Sequence, residues 1–272
     1  MSKIKKYTKR KYSVNRLILS DYNHVAYDLP NVFGLIEVDV TDSLAKITDI
    51  KNKQKYNVSF TAFVMKCIGQ TVKENKELNT YRKGRKLIVF DEVDISVIIE
   101  VTTKNGKKIP YNYVVRNVET KSVRAITEEI RNHQESVLSE EEQLRRSGSS
   151  RFTPLYAIIP KFLRRFIVRK LLTSPFKYKK LNGTVGLTSM GMFMPGQGGW
   201  LVPFRDKTLN VSTGGIKQGA IEQDGKIVIR NYLCTAFLID HDIIDGAPGA
   251  RFISRVSELM GNTHFLDDID KI

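Results

Sequence analysis

One histidine of this chain stands in a sequence context that could support catalysis. His241 follows Asp240 at the end of an apolar run, and Asp245 and Gly246 follow it by four and five residues. The unperturbed pKa of histidine is about 6.5, so an imidazole held at the end of a strand suits a general base. Such a base could deprotonate a thiol, hydroxyl or amine for acyl transfer from a thioester, provided that a second group stabilises the oxyanion.

Two other interpretations compete for His241. The first is a buried histidine with satisfied hydrogen bonds, because a short His-x-x-x-Asp-Gly pattern has low specificity on its own. The second is a metal site shared with Asp245, which is disfavoured because no third ligand is evident near either residue. We therefore expect no bound metal.

Composition indicates a globular protein that attracts anionic partners. The 272 residues carry a net charge of +15, with 41% hydrophobic and 27% charged residues. This charge would attract nucleic acid, an anionic membrane or a phosphorylated cofactor, although a solvated basic surface explains it equally well. No helix-turn-helix, zinc-finger or RNP-like aromatic motif accompanies the charge, so we do not expect a nucleic-acid partner.

The cysteines and the N-terminus indicate the compartment. Cys67 and Cys234 lie in apolar segments, which predicts buried free thiols in a reducing environment. Residues 1–13 form a basic arm without the apolar stretch of a secretory signal. No run of about eighteen apolar residues predicts a transmembrane helix. We expect a cytoplasmic protein, with a peripheral membrane location as the alternative.

Hydrophobic periodicity predicts strands mixed with helices. Helices are expected after the N-cap Ser59, around Val123–Ile130, and from near Pro248 with Ala250, Ile253, Val256, Leu259 and Met260 buried. Strands are expected at 32–40, 86–90, 93–101, 108–115, 185–188, 211–213, 226–229 and 233–239, with hairpin turns at Asn105-Gly106 and Asp224-Gly225. Because the strands come partly in hairpins and partly after helices, we expect an α/β (α+β) fold with helices packed on a mixed sheet.

The segment at 152–180 is both apolar and basic. Its apolar residues, Phe162 and Phe166 among them, alternate with arginines and lysines, and helical spacing gathers them on one broad face. One interpretation is a helical excursion that packs on the protein's own core or on a neighbouring subunit. The other is a surface helix that lies on anionic lipid.

Two motifs together resemble one known family. The stretch Asp240-His241, three residues, Asp245-Gly246-Ala247 is similar to the active-site signature of the catalytic domain of dihydrolipoamide acyltransferases, which share a fold with chloramphenicol acetyltransferase. The stretch 183–191, Gly-Thr-Val-Gly-Leu-Thr-Ser-Met-Gly, resembles the glycine-containing segment of the same family. The resemblance covers residues 14–135 and 181–260, and the two motifs in this order are far more specific than either alone.

The resemblance implies a fold, an assembly and a set of roles. The fold would be the chloramphenicol acetyltransferase-like two-layer mixed sheet, assembled as a homotrimer or a multiple of trimers with active sites between subunits. His241 would be the general base, and the hydroxyl of Thr188, with Ser189 as substitute, would donate to the oxyanion. Asp245 would hold the loop, with Arg16 and Gly246 as structural support. Coenzyme A would carry the acyl group as substrate.

The chain also departs from the family pattern. We expect a single catalytic domain at 14–272 with a helical insertion near 152–180, and neither a lipoyl domain, a covalently bound lipoyl group nor a subunit-binding domain. Asp242 stands where the family has arginine, and Thr188 stands where it has serine. The sequence therefore predicts a coenzyme A-dependent acyltransferase whose acceptor is unknown. The alternatives are a catalytically inactive trimeric scaffold and a peripheral membrane protein that binds or acylates lipid.

Overall fold

The computed structural model describes residues 7–102, 106, 108–135, 153–191, 194 and 196–271. Its α-helices are α1 (Val14–Tyr27), α2 (Thr41–Gln54), α3 (Phe60–Glu74), α4 (Val123–Glu135), α5 (Thr153–Ile158), α6 (Lys161–Leu172), α7 (Pro175–Asn182), α8 (Gly246–Gly261) and α9 (His264–Asp267). Its strands are β1 (Asn31–Asp39), β2 (Thr80–Lys83), β3 (Lys86–Val89), β4 (Ile95–Thr102), β5 (Lys108–Val115), β6 (Val185–Ser189), β7 (Leu209–Gln223) and β8 (Lys226–Asp240).

The main sheet is mixed, as the sequence predicted. Its strand order is β1-β8-β7-β6-β4-β5. β6 pairs in parallel with both β4 and β7, while the other pairs are antiparallel. β2 and β3 form a separate two-stranded ribbon. The expected fold class, a mixed sheet with packed helices, is confirmed.

Helices α3, α4 and α8 cover one face of this sheet. Ser59 caps α3 as predicted, because its hydroxyl accepts a hydrogen bond from the backbone N–H of Ala62. Phe63 of α3, Phe252 of α8 and Phe237 of β8 are all fully buried in one core. This packing fixes the position of β8, at whose end His241 lies.

The two longest strands, β7 and β8, are longer than predicted. β7 and β8 form one long hairpin, and β8 joins the two strands that we expected at 226–229 and 233–239. The polar residues between those two segments still pair with β7, and Arg230 forms an ion pair with Asp39 at 2.7 Å. The hairpin turn prediction is confirmed, since Asp224 and Gly225 both have positive φ angles.

Other corrections concern helices. Neither α1 nor α2 was predicted, because both helices bury few apolar residues and so lack a clear hydrophobic stripe. The last helix begins at Gly246 rather than near Pro248. Val256, Leu259 and Met260 are buried as predicted and Ile253 is partly buried. Ala250 is exposed, and Phe252, which was not predicted, faces the core. For the predicted turn at Asn105-Gly106, Gly106 has a positive φ angle, and Asn105 is outside the described residues.

The segment that we expected to be helical packs against α1. Arg164 of α6 donates a hydrogen bond of 2.7 Å to Asp21 of α1, and the Tyr156 hydroxyl of α5 donates to the same carboxylate. Val168 and Leu172 bury their side chains beside Val25 of α1 in a second, smaller apolar cluster. The inner side of the segment therefore belongs to the protein's own core.

Two further predictions can be compared with the structure. Cys67 and Cys234 are free and buried, as expected. Among the described residues, no helix is both long and apolar enough to cross a membrane.

Candidate active site

His241 lies in an exposed turn between β8 and α8. The backbone N–H of Asp240 donates to the carbonyl of Thr208 and completes the last pairing of the strand. The Asp240 carbonyl then accepts from the N–H groups of Ile243 and Ile244, which turns the chain toward α8. The buried end of β8 thus holds the backbone on one side of His241 while its imidazole stays open to solvent. The alternative of a buried histidine does not fit this position within one chain.

A buried arginine anchors the residue that precedes the histidine. Arg205 is only 2% exposed, and its guanidinium lies 2.9 Å from the carboxylate of Asp240. It also donates to the carbonyls of Lys207 and Pro30 and to the side-chain oxygen of Asn31. Burial lowers the pKa of the Arg205 guanidinium, while Asp240 opposes that change. Because arginine stays protonated in proteins, this ion pair fixes the end of β8.

A second, partly buried carboxylate lies next to Arg205. Asp206 accepts hydrogen bonds from the hydroxyls of Tyr22 and Tyr178 and from the side-chain amide of Asn210. The Lys207 ammonium lies 3.0 Å away. Burial alone would raise the pKa of Asp206, but Lys207 and these hydrogen bonds outweigh it and lower the pKa to about 2. The network joins α1 and α7 to the start of β7.

Asp242, the residue after His241, has a partner in this chain. Its carboxylate lies 2.8 Å from a guanidinium nitrogen of Arg82 on β2. Both side chains are about half exposed, so this pair adds little to stability. Its effect is to neutralise the charge beside His241 and to connect the β2–β3 ribbon to the turn that carries His241.

The predicted supporting residues are not brought together within one chain. Asp245 is exposed and precedes the first residue of α8, and its carbonyl accepts from the Gly249 N–H. Arg16 lies on α1 beside a cavity of about 460 Å³. No ion pair joins Arg16 to Asp245 in the described part of the chain. At Gly246 an added Cβ would meet no atom within 4 Å, so the single chain gives no steric reason for glycine there.

The two candidate oxyanion donors end β6 and point to opposite faces of the sheet. Leu187 is aligned with Val211 and Phe237 on the helix-covered face, and side chains alternate along a strand. Ser189 therefore shares the helix-covered face, where its Oγ accepts a hydrogen bond of 3.4 Å from Thr61 of α3. Thr188 points to the other face. A single approaching substrate can consequently use only one of the two hydroxyls.

A cleft lies beside Ser189. It has a volume of about 630 Å³, and its lining combines hydroxyls from Ser59, Thr61 and Ser189 with apolar side chains such as Val97 and Ile99. Apolar walls with a few polar groups are typical of small-molecule sites. The sequence pattern gave no signal for this cleft, because its lining comes from α3, α4, β4, β5 and β6.

Thr188 and His241 of the same chain lie far apart. Thr188 is aligned through Ser212 with Ala236 of β8, and His241 follows Ala236 by five residues toward the opposite end of the sheet. Two strand spacings and five residues of strand place them roughly 19 Å apart. A general base must come within about 3 Å of its proton, so one chain does not assemble both functions around one substrate.

Among the described residues, no group of three or more His, Cys, Asp or Glu side chains could hold a metal ion.

Comparisons with known proteins agree with this fold. The family model described as 2-oxoacid dehydrogenases acyltransferase (catalytic domain) matches residues 6–153 and 181–266. The lipoamide acyltransferase component of the branched-chain alpha-keto acid dehydrogenase complex of Bacillus subtilis (strain 168) is 23% identical over 251 residues, which are 91% of this chain and 50% of that protein. The dihydrolipoyllysine-residue acetyltransferase component of the pyruvate dehydrogenase complex of Zymomonas mobilis is 23% identical over 253 residues, 91% of this chain and 48% of that protein. The chain thus spans about half the length of these relatives.

Solved structures share the fold. A probable dihydrolipoamide acetyltransferase from Listeria monocytogenes superposes with a TM-score of 0.64 at 20% identity, covering 94% of each chain. Dihydrolipoamide acetyltransferase from Azotobacter vinelandii gives a TM-score of 0.68 at 18% identity, covering 97% of this chain and 95% of that one. The family match covers most of the chain and is interrupted only between residues 153 and 181. The chain therefore belongs to the family of 2-oxoacid dehydrogenase acyltransferase catalytic domains.

Proposed function

We propose that this chain is a coenzyme A-dependent acyltransferase that moves an acyl group between a thioester and a thiol, hydroxyl or amine acceptor. The observation that carries the proposal is the exposed imidazole of His241, held at the end of β8 by the buried Arg205–Asp240 ion pair. Family membership supports the reaction class. The Azotobacter vinelandii enzyme was investigated for the roles of a serine, a histidine and an asparagine in its catalytic mechanism. That histidine and asparagine are four residues apart, as are His241 and Asp245.

In the proposed mechanism, His241 accepts the proton of the acceptor as the acceptor attacks the thioester carbonyl. The Thr188 hydroxyl donates a hydrogen bond to the oxyanion of the tetrahedral intermediate. When the carbon–sulfur bond breaks, the imidazolium returns its proton to the leaving thiolate of coenzyme A. Atoms and charge balance, and the same steps in reverse move an acyl group onto coenzyme A. The names of the relatives, lipoamide and dihydrolipoyllysine-residue acyltransferases, favour a thiol acceptor.

We propose that the complete site forms between two copies of the chain. Since His241 and Thr188 of one chain lie roughly 19 Å apart, the imidazole of one copy would approach the Thr188 hydroxyl of the next. Such a contact joins two different surfaces and so repeats head to tail, and a homotrimer is the closed ring that the family resemblance favours. Exposed apolar residues on β1 and in the stretch before β7, Phe33, Leu35, Leu201, Val202 and Phe204, provide surface for this contact.

The phosphates of coenzyme A are consistent with the charge of the chain. A net charge of +15 raises the local concentration of a polyanionic substrate, and salt should weaken this attraction.

The proposed function is tested by thioester turnover. Wild-type protein is incubated with acetyl-, propionyl- and longer acyl-coenzyme A, and the free thiol of coenzyme A is measured with and without a dithiol, an alcohol or an amine. We expect thiol release that rises with one class of acceptor. No release with any donor, from a protein that sediments as a folded oligomer, would favour the inactive scaffold.

A further inference from the structure

We propose that the outward side of helix α6, together with the end of α5, binds the surface of an anionic phospholipid membrane. We call this surface the basic-apolar face and define it by Ile158, Phe162, Phe166, Arg169 and Lys170. The inference is independent of acyl transfer, because none of these residues belongs to the proposed catalytic site.

The basic-apolar face is the side of α6 that the protein itself leaves uncovered. Arg164, Val168 and Leu172 follow one another at helical spacing and face α1. Phe162 and Phe166 lie one turn apart on the opposite side and are 75% and 54% exposed. Ile158, at the end of α5, is 78% exposed. Large side chains of this kind are expected to be covered by a partner.

All charged side chains of the segment that contains α5, α6 and α7 are basic. Residues 153–182 contain lysines and arginines but no aspartate or glutamate; the basic residues are Lys161, Arg164, Arg165, Arg169, Lys170, Lys177, Lys179 and Lys180. The Lys170 ammonium lies 5.5 Å from the centre of the Phe166 ring, so positive charge and apolar surface occur side by side. Basic and aromatic side chains on one helix face are typical of helices that lie at a lipid interface.

A groove beside these residues adds a place for a lipid headgroup. The groove between α1 and α6 has a volume of about 300 Å³, and Arg165, Arg169 and His24 line it together with Phe162 and Phe166. Val25 and Asp28 complete the lining, and the Asp28 carboxylate lies 3.7 Å from Arg169. Arginine donates well to phosphate oxygens, and the two phenylalanine rings could contact an acyl chain.

The charge distribution favours lipid over a second copy of the chain. A symmetric contact would place two basic faces against each other, and like charges repel in such a contact. A head-to-tail contact would need a strongly acidic surface, whereas the whole chain has 44 basic and 29 acidic residues. An anionic bilayer offers negative charge at its surface and apolar volume beneath it, which matches both parts of the face.

The test is co-sedimentation of the full chain with vesicles. Phosphatidylcholine vesicles with and without phosphatidylglycerol are compared at low and high salt, using wild type, Phe162→Ser/Phe166→Ser and Leu87→Ser/Val89→Ser. The last variant is the matched control, because Leu87 and Val89 are similarly exposed on the β2–β3 ribbon. We expect binding only to the anionic vesicles, a decrease with salt, and at least about tenfold weaker binding of the Phe162/Phe166 variant. The control variant should bind like wild type.

Three results would overturn the proposal. The first is equal binding to neutral and anionic vesicles, and the second is wild-type binding by the Phe162/Phe166 variant. The third is self-association that this variant abolishes, without any vesicle binding, which would assign the face to a second copy. Circular dichroism, oligomer size and turnover of a water-soluble acyl-coenzyme A confirm that each variant is folded, and they keep this test separate from that of acyl transfer.

Discussion

His241→Ala is expected to lower kcat/KM for acyl transfer by about two to four decades, the usual contribution of a positioned general base. His241 is exposed, so its removal leaves no cavity in the core. The loss should therefore appear in turnover and not in the free energy of unfolding. Thiol release from acyl-coenzyme A with the preferred acceptor measures the first quantity, and urea unfolding measures the second.

His264→Ala is the matched control for this substitution. His264 is also exposed, but it begins the short helix α9, away from the turn that carries His241. The His264→Ala variant should turn over acyl-coenzyme A at the wild-type rate. If His241→Ala, shown to be folded and assembled, retained wild-type turnover, then His241 would not be the base.

Thr188→Ala is expected to weaken transition-state binding by about 3 kcal/mol, or roughly two decades in kcat, because it removes one donor to the oxyanion. Ser189→Ala should have little effect, since Ser189 points to the other face of the sheet and accepts a hydrogen bond from Thr61. Thr188→Ser should retain most of the wild-type activity, because serine keeps the hydroxyl. The measurement is kcat at saturating donor, with KM reported separately for each variant.

The same variants also define the result that would contradict Thr188 as the oxyanion donor. A large loss at Ser189→Ala with none at Thr188→Ala would move the oxyanion donor to Ser189 and the reaction to the cleft on the helix-covered face. A loss in KM alone at Thr188 would assign that residue to substrate binding. Either result would require a different approach direction for His241.

The sequence predicted the position of the candidate base well. The apolar run at 233–239 predicted a buried strand, and His241 lies just past the end of that strand. This inference succeeded because it depends on local periodicity alone. The expectation that Ser189 could substitute for Thr188 is less well supported, because both residues lie in β6 and alternation along the strand turns their side chains to opposite faces.

Contacts between residues distant in the chain could not be predicted from the sequence pattern. Arg205 lies in an irregular stretch without periodicity, and its importance comes from Asp240, 35 residues later. The separation of Thr188 from His241 follows from the neighbour order β6-β7-β8, which the sequence does not specify. The proposed link between Arg16 and Asp245 is still a prediction, because the single chain does not bring the two residues together.

The most direct test of a site shared between copies is a mixed assembly. His241→Ala and Thr188→Ala chains are co-expressed with different tags, the mixed oligomers are purified, and thioester turnover is compared with each variant alone. In a head-to-tail ring, some contacts then join an intact Thr188 to an intact His241. We expect about one quarter of wild-type activity from a random mixture, although each variant alone is nearly inactive. Activity that stays at the level of the single variants, in oligomers shown to contain both chains, would contradict a site formed between copies.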